Sequence, residues 1–528
     1  MKLRILLWSV TSALAGFLFG FDTVVISGAE QTIQKLWTLS EGMHGFAVGS
    51  ALYGTVLGSL MGSWPADRFG RKPTLVWVGV LYLVSAVGSA FAWDVWSLAV
   101  FRLIGGVGIG VSTVAAPMYI AEIAPPAYRG RLTALFQFNI VFGILVAFGS
   151  NALLAGVGEH AWRWMLGVEA VPAAAYLVAC LPIPESPRWL LTRKRDVDAG
   201  LAVLRLTHPT ATADELKGEA DVILAAEREA TPAGKFWSRR LARPILLAVL
   251  VAAFNQLSGI NAVLYFAPRI FKQAGLEEQA ALLNSVGIGV TNLVFTFVGL
   301  WLIDRLGRRT LLLIGSLGYI ASLGLCAWAF VHWGPQFRTA TAAIEVKEAV
   351  AAVRAEGQPG EKRDEKLLQL AGKKQALEAA SRAAEAGAEP VTFDEKADPD
   401  AVQATAAAAL TQVSAAVGPG GLVVVLCIVA FIAAHAVGQG AVIWVFISEI
   451  FPNRHRATGQ AVGSLTHWAL AAAITTVFPA VVVNFHPAAV FAFFAAMMGV
   501  QLLWVLTVVP ETKGVPLEEL EKTLTGGG

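Results

Sequence analysis

The sequence predicts an all-α membrane protein of about 12 transmembrane helices, arranged as two tandem halves of six with shorter helices between them. Three observations lead there. The 528-residue chain is 56% hydrophobic and 15% charged, against roughly 25% charged in soluble proteins. Apolar runs of about 20 residues, the length that crosses a hydrocarbon core as a helix, recur along most of it. Charged motifs at the ends of those runs occur twice in the same order.

The runs lie at roughly 5–27, 44–64, 73–92, 96–120, 132–155 and 162–182. A polar stretch follows at 184–240, and then runs at 241–268, 279–303, 310–333, 421–448, 458–484 and 487–509. Alternating strands of the membrane-barrel kind are not seen. Met1-Lys2-Leu3-Arg4 has the basic start of a signal peptide, but the run after it is too long for one and predicts a retained first helix. Cys180, Cys326 and Cys427 all fall in apolar runs and read as small core residues, with no disulfide framework. Arg68, Arg71, Lys72, Arg129, Arg131, Arg305, Arg308, Arg309, Arg454 and Arg456 crowd alternate loops, while the opposite loops are poor, with none between runs 3 and 4 or 11 and 12 and Arg163 between 5 and 6. Lys/Arg mark the cytoplasmic side, so both termini and the 184–240 stretch are expected there.

Asp67-Arg68-Phe69-Gly70-Arg71-Lys72 recurs 237 positions on as Asp304-Arg305-Leu306-Gly307-Arg308-Arg309. Glu122 with Arg129 recurs 327 positions on as Glu449 with Arg456, and Pro184-Glu185-Ser186 returns as Pro510-Glu511-Thr512. Two halves of the same orientation therefore follow one another. The widening offset places an insertion in the second half, and composition locates it at 337–420, rich in Ala, Glu, Lys and Gln. The predicted division is a first bundle at 1–183, linker helices at 184–240 and a second bundle at 241–336 and 421–509. An extracytoplasmic insertion at 337–420 interrupts the second bundle, and a tail follows at 510–528. One or two amphipathic helices, weakly packed on the body, are expected in the insertion; a disordered loop is the alternative. Tandem six-span bundles are the plan of alternating-access transporters, with the substrate site near the midplane.

Asp22 stands inside the first run. A carboxylate there costs about 2.5–3.5 kcal/mol on insertion scales, so its default reading is functional and it needs a partner. Glu169, early in the sixth run, is a second intramembrane acid, read as interfacial and structural. No Ser-His-Asp order, metal cluster or phosphate loop is present, and Gly105-Gly106-Val107-Gly108-Ile109-Gly110 lies inside a span, where it reads as close helix packing. An enzyme is not expected, nor a cofactor, metal or nucleic acid.

The motifs together carry a resemblance. They are Gly-Phe-Asp-Thr at 20–23, Asp67 to Arg71, Arg102 with Gly105-Gly106, Glu122, Arg129-Gly130-Arg131 and Pro184-Glu185-Ser186-Pro187-Arg188-Trp189-Leu190. Gln256-Leu257-Ser258-Gly259-Ile260-Asn261, Asp304 to Arg309, Glu449-Ile450-Phe451-Pro452 and Pro510-Glu511-Thr512-Lys513-Gly514 complete them. In this order and at both repeat positions they resemble the sugar porter family of the major facilitator superfamily, over nearly the whole chain except the insertion. The resemblance implies the major facilitator fold. It implies proton coupling through Asp22 with Arg102, since the family's facilitators typically have Asn at the Asp position; a static ion pair is the alternative. It maps sugar contacts onto Gln137, Asn255, Gln256, Asn261, Asn292 and Trp444, with Phe19 lining the same cavity; helix-to-helix glue is the alternative for an isolated amide. Amides donate and accept, which suits paired hydroxyls.

The sequence departs from the family pattern in three places. Asn255 stands where many relatives have Gln. His467 stands where they have Gln or Asn, and reads either as a hydroxyl partner that can titrate or as a neutral wall residue. The span-10 stretch 438–444 lacks the prolines of glucose facilitators. His435 reads as a packed helix residue. Asp67, Arg71, Glu122, Arg129, Glu185, Asp304, Arg308, Glu449, Arg456 and Glu511 are expected to join the two bundles through ion pairs when the cavity opens outward, and to part when it opens inward.

The expected function is proton-coupled symport of a pentose or hexose. The alternatives are an uncoupled facilitator, or a transporter-like sensor, disfavoured by the short tail after Val509. The expected partners are a sugar, protons and the lipid bilayer. A monomer in a bacterial inner membrane is expected, by resemblance to bacterial xylose, arabinose and galactose symporters.

Overall fold

The computed structural model describes residues 3–125, 128–208, 210–228, 235–356, 361–383, 390–394, 397–452, 455–515, 519–520 and 523–524. Arg454, one of the predicted orientation markers, lies outside them. Among the described residues every regular element is helical.

The first half contains α1 (Leu3–Leu36), α2 (Glu41–Met61), α3 (Ser63–Phe69), α4 (Arg71–Ala90), α5 (Val95–Ile123), α6 (Arg129–Leu154), α7 (Ala161–Gly167) and α8 (Ala170–Cys180). The polar linker forms α9 (Pro187–Trp189), α10 (Val197–Thr207) and α11 (Ala213–Arg228), held by Leu191, Leu204, Leu216 and Ala220. The second half opens with α12 (Ala242–Leu257), α13 (Ile260–Gln273), α14 (Glu278–Leu306) and α15 (Arg308–His332). The insertion follows as α16 (Gly334–Ala355) and α17 (Glu361–Ala383). Then come α18 (Pro399–Val437), α19 (Gln439–Ile450), α20 (Arg456–Asn484) and α21 (Pro487–Thr507).

Ten of these segments are long and apolar enough to cross a membrane, counting α12 with α13 and the inner part of α18 with α19 as one span each. The pair α2 and α3, bent by 48°, makes an eleventh. The predicted sixth span is broken at Val168-Glu169 into α7 and α8, each short by itself. It packs against α1 and α4 and completes the first six.

The repeated motif has a local physical cause. Gly70 and Gly307 both take a positive φ, 108° and 93°, where one helix ends and the next begins. Each also leaves room for a carboxylate: a Cβ on Gly70 would sit 2.1 Å from Glu185 Oε2, and one on Gly307 2.4 Å from Glu511 Oε2. Those carboxylates cap the following helices. Glu185 accepts from the backbone N–H of Arg71 at 2.9 Å and Lys72 at 3.2 Å. Glu511 accepts from Arg308 at 2.9 Å and Arg309 at 3.2 Å. Free N–H groups and the positive helix end both favour an anion there.

The insertion is better ordered than its composition suggests. Only Trp333 separates α15 from α16, and α18 runs from the insertion into the second half as one helix. Val346, Val350, Leu370, Leu377, Val402 and Ala406 form an apolar core of their own. The expected one or two loosely packed helices are thus two extensions of membrane helices packed together, with α17 lying against α16. Small apolar residues spaced through an Ala-rich sequence suffice for a thin helix-on-helix core, which bulk composition does not reveal.

Substitution Gly70→Ala is expected to cost about 1–3 kcal/mol, the usual size of such backbone strain. It should lower the thermal-unfolding midpoint of the purified protein in detergent. Gly130→Ala, whose Cβ meets nothing within 4 Å, should leave it unchanged.

Candidate functional site

Asp22 on α1 and Arg102 on α5 meet in the first half, 2% and 1% exposed. The contact is loose: Arg102 Nη1 is 3.4 Å from Asp22 Oδ1, and Nη2 donates to the Asp22 backbone carbonyl at 3.3 Å. Asp22 Oδ2 and Arg102 Nε have no hydrogen-bond partner among the described residues. Glu169 supplies a third charge. It lies at the break between α7 and α8, fully buried, with its carboxyl against Asp22 and near Arg102. The expected interfacial position of Glu169 is therefore corrected. Its early position in the sixth run suggested a shallow depth, and the break in that span brings it to the pair instead. Two buried carboxyls thus stand near one guanidinium, and only Asp22 is paired with it.

The second half supplies amides. The span made of α12 and α13 breaks at Gly259, φ 85°. This break gathers Asn255, Gln256 and Asn261 at one depth. Gln256 Nε2 donates to Asn255 Oδ1 at 3.0 Å, and Asn261 Nδ2 donates to Gln256 Oε1 at 2.7 Å. Gln256 Nε2 also stands 3.2 Å from the His467 ring nitrogens on α20. His467 lies between two indoles, 5.2 Å from the Trp444 ring and 4.6 Å from the Trp468 ring. Phe19 of α1 meets Trp468 edge-on at 5.5 Å and closes this wall from the other half. The predicted Asn255, Gln256, Asn261, Trp444, His467 and Phe19 thus come together.

Gln137 on α6 and Asn292 on α14 lie on two helices that pack against each other. Neither makes a side-chain hydrogen bond to the amide cluster among the described residues. His435 packs as expected, its Nδ1 2.8 Å from the Tyr319 hydroxyl.

The repeated charges form two matching cages at one end of the molecule. Arg71 grips Glu122 with Nε and Nη2, at 2.9 and 3.0 Å, and donates to Asp67 at 3.2 Å. Arg308 grips Glu449 in the same way, at 3.1 and 2.8 Å, and donates to Asp304 at 3.3 Å. Thr512 Oγ1 adds a bond to Glu449 at 2.6 Å. Burial pushes the Glu185 carboxyl above its usual range, and the N–H donors of Ser186, Lys72 and Arg71 pull it partly back.

Each cage closes within its own half. Among the described residues no ion pair joins the two cages, and Arg129 and Arg456 are unpaired. The cross-bundle pairs expected of an outward-open form are absent from this arrangement, in which Asp304, Arg308, Glu449 and Arg456 border an open pocket.

The halves also meet along α6 and α14, and polar contacts join them toward the end where the insertion lies. There Tyr53 of α2 bonds Thr476 of α20 across 2.8 Å. A buried pair that the sequence reading missed, Glu30 with Arg269, also crosses between the halves there. Both lie just past the ends of the predicted apolar runs 5–27 and 241–268, so the rule that singled out Asp22 does not reach them; the helices α1 and α13 run further than the runs and include them.

Two six-span halves in one orientation, with a buried charge cluster in one and an amide and indole pocket in the other, define a membrane transporter rather than an enzyme. The chain belongs to the family described as "Sugar (and other) transporter", which matches residues 8–347 and 401–524. The unmatched stretch falls within the insertion. The chain is 29% identical to the arabinose–proton symporter of Bacillus subtilis strain 168, over 98% of this chain and 94% of that one. It is 28% identical to the D-xylose–proton symporter of Escherichia coli K12, over 97% and 94%. Its fold is similar to a partially occluded, inward-open structure of the xylose transporter XylE from E. coli. The TM-score is 0.70 at 26% identity, covering 98% of this chain and 100% of that one.

Glu122→Gln strands the Arg71 guanidinium and is expected to cost about 3 kcal/mol, as for a broken buried pair. Asp67→Asn, whose side chain is 41% exposed, is expected to cost less than about 1 kcal/mol. Melting of the purified variants in detergent distinguishes the two.

Proposed function

We propose that this chain carries a monosaccharide, a pentose or hexose, across a bacterial cell membrane together with a proton, by alternating access. The observation that carries the reading is the loose Asp22–Arg102 pair with Glu169 beside it. A tight salt bridge has no use for a proton. Two carboxyls around one guanidinium have a vacancy for one, and filling it changes what holds α1, α5 and α8 together. The names of the relatives, proton symporters for arabinose and xylose, support the same assignment.

In this reading the proton and the sugar bias one two-state equilibrium. Protonation of the Asp22–Glu169 pair frees Arg102 to reorient. The sugar engages Gln256, Asn255, Asn261 and His467 through its hydroxyls, and its apolar face lies against Trp444. Phe19 and Trp468 touch across the halves, so their contact moves when the halves rock. Gln137 and Asn292 face the sugar from α6 and α14.

The Lys/Arg-rich loops put the caged end, both termini and α9 to α11 on the cytoplasmic side, and the insertion outside. The arrangement is then the inward-facing one. The protein works as a monomer, because each half finds its partner within the chain. A facilitator is the second reading, favoured by the Arg102–Asp22 contact being in place at all.

Asp22→Asn separates the two. Accumulation of labelled sugar against a gradient in proteoliposomes is expected to disappear, while exchange of sugar at equal concentrations persists. Accumulation that survives unchanged identifies a facilitator-like pair and ends the coupling proposal. Gln256→Ala is expected to raise the sugar concentration for half-maximal exchange by roughly tenfold, the loss of one or two hydrogen bonds of about 1 kcal/mol each. Sugars are tried singly, with xylose and arabinose first.

A further inference from the structure

Glu30 lies eight positions beyond Asp22 on α1 and is fully buried. Arg269 of α13, in the other half, grips it with two bonds: Nε to Oε1 at 3.1 Å and Nη2 to Oε2 at 2.8 Å. Arg269 Nη2 also donates to Gln34 Oε1, and Gln34 donates to Glu41 of α2 at 2.8 Å. His44 of α2, fully buried, places Nε2 2.9 Å from Glu30 Oε2. Beside this cluster the helices of opposite halves touch backbone to backbone: a Cβ on Gly45 would sit 1.8 Å from the Thr476 carbonyl oxygen.

A second layer lies over the first, and the insertion supplies it. Glu348 of α16 binds Lys272 at the end of α13 at 3.1 Å and Lys35 at the end of α1 at 3.3 Å. Burial would raise the Glu348 carboxyl, yet Lys272 and Lys35 hold it below its usual range. α16 is fastened to the second half, because Thr341 donates to the Lys272 carbonyl at 2.9 Å and Lys347 reaches Glu277 at 2.8 Å. One carboxylate of the insertion therefore bridges the two halves, directly above a buried carboxylate that does the same.

We infer that Glu30 and Arg269, with Gln34 and His44 around them, are the latch that holds the insertion end shut, and that Glu348 makes the insertion an outer clasp on that latch. The inference rests on the alternating-access reading. Parting the halves here strands two buried charges, which opposes opening. The Lys35–Glu348 contact is the weaker member, since Lys35 is 69% exposed and exposed pairs contribute little. The insertion is then a part of the gate carried by the second half. A permanent staple is the competing role, and it would stabilise the fold without governing access.

The test is access to a cysteine placed at the seam. Thr476→Cys is labelled with a membrane-impermeant maleimide applied from the insertion side, above the background of Cys180, Cys326 and Cys427, which are buried. Glu30→Gln and Arg269→Gln are each expected to speed labelling roughly tenfold, within the range of such coupling energies. The double variant should go no further than either alone, because both remove one pair. Glu30→Arg combined with Arg269→Glu should bring the rate back down. Glu348→Gln, at a partly exposed site, should speed labelling about twofold.

Single variants that label at the starting rate overturn the latch, as does additivity in the double. An unchanged rate in Glu348→Gln overturns the clasp. Lowered melting with unchanged labelling assigns the staple. Labelling needs neither sugar nor proton gradient, so a failure here leaves the symport reading standing, and a failure of sugar uptake leaves this one standing.

Discussion

A charge inside a bilayer must have a partner, and this constraint organises the molecule at three depths. At the caged end Arg71 and Arg308 each hold a glutamate with both guanidinium edges. At mid-depth Arg102 holds Asp22 loosely, with Glu169 alongside. At the insertion end Arg269 holds Glu30. In every case the guanidinium and the carboxylate come from different helices, so each pair fixes a helix-to-helix relation as well as satisfying a charge. The geometry grades with the task. The cages are tight and stay within a half, the seam pair is tight and crosses halves, and the mid-depth pair is slack.

The internal repeat explains why the two ends differ from the middle. Gly70 and Gly307, Glu185 and Glu511, and Arg71 and Arg308 keep the same positions and the same bonds in both halves. They build the scaffold that a rocking motion needs to be symmetric. The interior is where the copies have diverged. The first half keeps ionisable groups on α1, α5 and the broken sixth span, and the second keeps amides and indoles on α12, α13, α19 and α20. Under the proposed function a proton site and a hydroxyl site want different chemistry, and the divergence of the two halves puts ionisable groups in one and amides in the other. Phe19 against Trp468 is where the two sides touch.

Much of this was legible in the sequence, for reasons of length and composition. Runs of apolar residues fix the spans because the bilayer fixes their length. The repeat fixes the tandem halves. The amide cluster was legible because Asn255, Gln256 and Asn261 are close in sequence and a single break at Gly259 keeps them close in space. What was not legible depends on azimuth or on distant pairing. Glu169 reads as shallow until the break at Val168-Glu169 turns it toward Asp22. Glu30 and Arg269 are 239 positions apart, and both lie just past the ends of their apolar runs. The core of the insertion hides in an Ala-rich composition, where a few valines and leucines on facing stripes do the packing. Whether the charge cages link the halves is a property of the conformation, which a sequence does not carry.

The slackness at mid-depth follows from the tightness elsewhere. Under the proposed coupling, a pair that takes and releases a proton is kept apart from the pair that holds the halves in register, because each protonation would otherwise loosen the fold. The two glutamate cages each fasten one half, and Glu30 with Arg269 crosses between the halves. Among the described residues the Asp22 carboxylate has a 3.4 Å contact with Arg102 and one oxygen without a hydrogen bond. The cost of that unsatisfied oxygen, in a medium where unpaired polar atoms are expensive, is offset by surrounding helices that other bonds already fix. Under the proposed function, this separation of the coupling carboxylate from the structural pairs is what lets it exchange a proton without taking the helix bundle with it.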